Sequence, residues 1–217
     1  MEPTVRYPPG TVRALLDTPH VTPATRAALR ARLDERDPAG ATPRFLDAPA
    51  LATLRAACAR LVPQPGGAPP IDLVAVVDAR LAAGEGNGWR YAALPPDGDA
   101  YRCGALGLDE SARAMFGAAF AALTAAHQDA LLRAVQSGAV RGGAWDTVPP
   151  VRWFEELLAE LVECYYSHPL AQEEIGYVGM ADAPGWPALG LDVLDSREPR
   201  PFGQEHRHEH DRGAPHA

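Results

Sequence analysis

His206, His208 and His210, with His216 further on, are the densest set of metal-capable side chains in the sequence. Alternate positions of an extended chain share a face, so these imidazoles could converge on one ion. A working metal site needs ligands held in place by further hydrogen bonds, and a floppy tail lacks that support. Glu173 and Glu174 could serve as an acid–base pair. Neighbours on a helix point in different directions, however, and a solvated pair is expected. His127 falls in the first turn of an expected helix and should contact solvent. His168 precedes Pro169, which pushes it out of helical geometry. It should end the preceding helix, with its ring bonded to a nearby carbonyl. General-base catalysis needs a partnered nucleophile, and none is identifiable. Gly84-Glu85-Gly86-Asn87-Gly88 has the look of a phosphate loop. No strand precedes it and the Gly-x-Gly-x-x-Gly spacing is not met, so a surface turn is expected. No catalytic, cofactor-binding or metal residue is assigned to the chain.

Aromatic residues offer a different function. Between Tyr165 and Trp186 large rings alternate with residues that cannot continue a helix, as in Tyr165-Tyr166-Ser167-His168-Pro169 and Ala183-Pro184-Gly185-Trp186-Pro187. Rigid anchors on irregular backbone are typical of interface hot spots. Tyr166, His168, Tyr177 and Trp186 are the expected partner-interface residues. Trp153, Phe154 and Tyr165, one helix earlier, are expected in the core.

Composition limits the partners. The net charge is −8 over 217 residues, which argues against nucleic acid, since phosphate neutralisation requires a concentrated basic surface. Every basic residue is arginine, a bias that a G+C-rich genome explains. Cys58, Cys103 and Cys164 show no CxxC spacing and are odd in number, so buried free thiols are expected. The first residues show no apolar leader and no twin arginine, and no apolar run reaches the ~18–20 residues of a membrane span. The expectation is a cytoplasmic protein, or a periplasmic or envelope one if it is exported with a partner.

The elements that must position these residues are helices. Proline, with 22 residues, is about twice as frequent as usual and falls between the periodic segments. Residues 11–35 read as two short helices, the second capped by Thr22 with Pro23 at its first position. Asp47, with Pro49 just inside, opens a helix to about Leu61. Ile71–Leu81 fits either a buried strand or a helix, and helix is chosen. Asp97 caps a short helix to about Leu106, although a hairpin around Pro95-Pro96-Asp97-Gly98 is the other reading. Asp109 to Val135 is strongly periodic and should form two helices meeting near Thr124. Val151 to about Tyr165 is the last helix, with Glu155, Glu156, Glu160 and Glu163 opposite its apolar stripe. The whole is an all-α irregular orthogonal array of about seven or eight short helices with Pro-rich loops. Residues 1–44 form an arm and linker, 45–192 the main helical domain, and 193–217 a disordered His-rich tail.

From about Phe45 to Leu189 the chain resembles the small (gamma) subunit family of gluconate 2-dehydrogenase, subunit 3. The pieces that carry the resemblance are Leu61-Val62-Pro63, Pro70-Ile71-Asp72, Gly107-Leu108-Asp109 and Phe116-Gly117-Ala118-Ala119-Phe120. They continue through Gln128-Asp129-Ala130-Leu131-Leu132, Phe154-Glu155-Glu156-Leu157, Tyr165 to Pro169, Gly176-Tyr177-Val178-Gly179 and Pro184-Gly185-Trp186-Pro187. The resemblance implies an accessory subunit without chemistry or cofactor of its own. Its partner would be a FAD-dependent large subunit of the glucose-methanol-choline oxidoreductase type, acting on a sugar, aldonate or related alcohol. Well-known members carry a twin-arginine signal, which is not visible here. The competing reading is a free-standing metal-binding protein or enzyme that uses the His-rich tail.

Overall fold

The computed structural model describes residues 10–34, 43–64, 71–86 and 91–177. Among them are eight α-helices and no strand, as the all-α reading expects: α1 (Thr11–Leu15), α2 (Pro23–Asp34), α3 (Ala48–Leu61), α4 (Leu73–Ala83), α5 (Asp97–Phe116), α6 (Ala125–Gln136), α7 (Pro150–Tyr166) and α8 (Pro169–Ile175). Two 3-10 turns, Phe120–Ala122 and Gly143–Asp146, flank α6. No helix among the described residues is long and apolar enough to cross a membrane. The expected tail and most of the expected linker lie outside the described residues.

Two compact units divide the chain, residues 37–165 in one and residues 1–36 with 166–217 in the other. In the larger unit α3 packs against α4, α5, α6 and the Phe120–Ala122 turn. Its helices start where short polar side chains can accept the free N–H groups of a first turn. Asp47 Oδ1 accepts from Ala50 N at 2.8 Å, Asp72 Oδ1 from Ala75 N at 3.0 Å, and Thr124 Oγ1 from His127 N at 3.4 Å. His127 is exposed and stacks on Phe116, with ring centroids 4.3 Å apart. The segment before α3 is held differently. Asp78, buried on α4, accepts from Arg44 N at 2.6 Å, Phe45 N at 3.1 Å and Leu46 N at 2.7 Å. Three charge-assisted bonds in a dry setting fix those residues firmly.

Helix α5 corrects the expected division of its region. The helix expected to end near Leu106 runs on unbroken to Phe116, where Gly117 adopts φ 75° and terminates it. Thr124 then starts α6 as expected, after the intervening 3-10 turn. Gly104 and Gly107 sit inside α5, where each costs about 1 kcal/mol relative to alanine. They make room for indoles. A Cβ on Gly104 would lie 1.9 Å from the Trp153 ring, and one on Gly107 would lie 2.6 Å from Trp145. The two indoles meet edge to face at 5.5 Å, and Trp145 Nε1 donates to Ser111 Oγ at 2.9 Å. Trp153, Phe154 and Tyr165 are buried, as expected of core residues.

Gly104→Ala should therefore destabilise the protein although it raises helix propensity. Overpacking against a ring that is only 1 % exposed should cost about 1–3 kcal/mol. A chemical-denaturation midpoint at or above wild type would show that the indole can retreat.

Candidate functional site: helix ends and buried carboxylates

The expected interface residues fall in the smaller unit, where α8 packs on α1 and α2. His168 lies between α7 and α8 in extended geometry, φ −91° and ψ 133°, as a residue before proline must. Its Nδ1 accepts from Leu170 N at 3.2 Å, and Nε2 donates to Arg32 O at 2.8 Å. That pattern specifies the neutral ring with its proton on Nε2. Arg32 returns a bond from its guanidinium to Ser167 O at 2.6 Å. The expectation of a helix-ending ring bonded to a carbonyl holds, and the carbonyl belongs to α2.

Glu173 overturns the expectation of a solvated pair. Its Oε2 accepts from Gly10 N at 2.6 Å and its Oε1 from Arg13 N at 2.7 Å. The first turn of α1 has no side-chain cap of its own, because Gly10 stands at the capping position. A carboxylate on α8 supplies the missing acceptor, at the end of the helix where negative charge is favoured. Arg26 performs the complementary task and donates to the carbonyls of Leu16, Thr18 and Val21. Leu16, Val21 and Leu29, with Leu33, make the small apolar cluster beneath.

With these groups spent on holding helix ends, α8 buries Pro169, Ala171 and Gln172. Tyr166 and Tyr177 remain 44 % exposed and Ile175 45 % exposed. Three large apolar residues within twelve positions thus face outward. Trp186, the fourth expected anchor, lies outside the described residues. His168 is committed to backbone contacts, which sequence reasoning on an interface did not separate from surface display.

In the larger unit α7 corrects a second expectation. Glu156 and Glu160, expected opposite the apolar stripe, are buried, and Val162 of that stripe is exposed instead. Glu160, 4 % exposed, forms a two-pronged pair with Arg80, at 2.7 Å from Nε and 2.8 Å from Nη2. Tyr101 donates its hydroxyl to the same carboxylate. Arg80 also reaches Asp97 Oδ2 at 3.0 Å and Glu85 O at 2.6 Å. Burial pulls the Arg80 pKa down, but the hydrogen bond and charge of Glu160, then the hydrogen bond to Asp97, carry it above the ordinary guanidinium value. Burial first, and then the charge of Glu160, push the Tyr101 phenol well above its usual range. Both Glu160 oxygens are engaged, which suits a structural lock. The Cys58 thiol is quiet: burial, then Asp72 and Cys164, push it up to about 12, which leaves negligible thiolate at neutral pH. Cys103 and Cys164 are half-buried rather than buried, and none of the three cysteines forms a disulfide. Among the described residues no group of His, Cys, Asp and Glu is placed to hold a metal ion.

The described residues use ionic side chains as helix caps, as one buried cluster around Arg80 and as exposed surface pairs, with aromatic residues exposed where helices end. The model of the family described as gluconate 2-dehydrogenase subunit 3 matches residues 48–185. The chain belongs to that family, which is named for a subunit of a dehydrogenase complex. No curated protein and no solved structure matches it.

Two outcomes follow from the geometry of these groups. The unfolded chain ionises Tyr101 near pH ~10, whereas the fold retains the proton because its pKa is raised. Above that pH the unfolded state binds fewer protons, so stability falls as pH rises. Tyr101→Phe should flatten the loss between pH ~9.5 and ~11 in denaturation curves. Equal slopes in both proteins would contradict the assignment. His168→Ala removes two bonds to backbone and should cost about 1–3 kcal/mol, with faster hydrogen exchange at the Leu170 amide. Unchanged protection there would show that the ring does not hold α8.

Proposed function

We propose that this protein is a non-catalytic accessory subunit that binds and stabilises a FAD-dependent large subunit of the glucose-methanol-choline oxidoreductase type. The large subunit carries the flavin and oxidises a sugar, an aldonate or a related alcohol, and this chain contributes no cofactor. Family membership supports the reading most strongly, because the match includes Tyr166, His168 and Tyr177. The exposed aromatic end of the smaller unit supports it independently, since residues of this type anchor partners when they fill a partner's pockets. Glu173 and His168 of that end are engaged in backbone bonds that hold helix ends. Co-expression with a large subunit of that type from the same genome, followed by size-exclusion chromatography and flavin absorbance, tests the proposal. Co-elution of this chain with a yellow large subunit is expected. Purified chain that is itself yellow, or that reduces a dye with sugar substrates, would defeat the proposal.

Tyr166→Ala and Tyr177→Ala should each weaken the complex by about 1–4 kcal/mol and barely change the melting of the isolated chain. A buried aromatic would behave in the opposite way, lowering the isolated chain's stability by about 3–5 kcal/mol. Destabilised chains that bind the large subunit normally once folded would refute the interface.

A further inference from the structure

The larger unit carries a second surface with the features of a docking socket. A cavity of about 430 Å³ opens between the first turns of α3 and the middle of α5. Phe45, Pro49, Ala105 and Leu106 make its apolar wall. Phe45 does not drift, because Asp78 holds its backbone N–H and those of its two neighbours. Leu106, 53 % exposed, lies one helical turn beyond Arg102 on the same face of α5.

The polar groups of the cavity are unequally satisfied. Asp47 caps α3 through Ala50 N. Asp109 accepts from Phe120 N at 2.8 Å and pairs with Arg113 at 3.1 Å. Both negative charges are thus answered, one by a helix N-terminus and one by an arginine. Arg102 is not answered. Its guanidinium lies 3.7 Å over the Phe45 ring and reaches Phe45 O at 3.3 Å, and no carboxylate pairs with it among the described residues. Thr53 also lines the cavity. Its hydroxyl has no hydrogen-bond partner among the described residues and keeps contact with solvent through the cavity. A hydroxyl so placed can donate to or accept from an incoming group.

We propose that this cavity receives a segment of the large subunit in which a large apolar side chain stands within two residues of an aspartate or glutamate. The apolar side chain fills the wall formed by Phe45, Pro49 and Leu106. The carboxylate pairs with Arg102, and a backbone group of the same segment bonds Thr53. The proposal rests on the reading of this chain as an assembly subunit and adds a second contact surface, separate in residues from Tyr166 and Tyr177.

Replacing Leu106 with p-benzoylphenylalanine in the full chain, co-expressed with the large subunit, allows photo-crosslinking and mass-spectrometric mapping. The crosslink should fall on a large-subunit segment with an acidic residue within two positions of an apolar one. Arg102→Glu should weaken the complex by about tenfold or more, because a like charge then faces the carboxylate. Arg102→Lys should be intermediate, since it keeps the charge and loses the planar fork. Thr53→Val should weaken binding by a smaller factor; circular dichroism melts of each variant separate lost contact from lost folding. A crosslink to a second copy of this chain, to the chain itself, or to a segment without an acidic residue overturns the proposal. So does undiminished binding by Arg102→Glu. If the unaltered chain forms no complex, the assembly reading falls with it; if it does and only the socket variants are silent, the socket alone falls.

Discussion

Burying a carboxylate is tolerable only where its partners are already in position, and Glu160 imposes that condition on the larger unit. The guanidinium of Arg80 on α4 and the hydroxyl of Tyr101 on α5 must both converge on α7. A buried pair of this kind adds little net stability compared with apolar residues of similar volume, but removing one member leaves a charge stranded. Its consequence is therefore one of register. Three helices can approach each other only in the arrangement that satisfies all the donors at once. Around that fixed point α5 accepts the Trp153 and Trp145 rings on its two glycines, and α4 uses Asp78 to hold the chain ahead of α3.

The smaller unit is built on the same economy at smaller scale. Its helices α1 and α8 have five and seven residues, too short to persist without external partners. Glu173, Arg26 and His168 provide them, each by bonding the backbone at the end of another helix or turn. Polar side chains consumed in this way are unavailable for acid–base work. Beside its exposed charges, the unit offers three large apolar side chains outward: Tyr166, Ile175 and Tyr177.

Much of this architecture was legible in the sequence where the signal was local. Thr22, Asp47 and Thr124 announced helix starts, because a capping side chain and the N–H groups it accepts are three residues apart. The ambiguous segment Ile71–Leu81 resolved as helix α4, and the aromatic helix ends at Tyr166, ahead of His168 and its proline, although α8 follows where no further helix is expected. What escaped was long-range pairing. Glu160 belongs to a glutamate-rich face that reads as solvent-facing until Arg80, 80 positions away, is brought against it. Glu173 caps Gly10 across 163 positions. Gly104 and Gly107 carry no side chain to signal a role, which is visible only once two tryptophans from other segments lie against them. Tyr166 and Tyr177 stand out in the sequence because they fall at or beyond the end of a helical pattern.

The central claim is that this chain binds and stabilises a flavoprotein. Its most direct test is the thermal unfolding of the flavin-loaded large subunit, followed by flavin fluorescence, as this chain is added. At concentrations ~100-fold above the dissociation constant, binding to the folded partner alone stabilises it by about 2.7 kcal/mol. The account predicts a melting midpoint that climbs with added chain and keeps rising as the logarithm of its concentration. A midpoint that does not move at any concentration would contradict it.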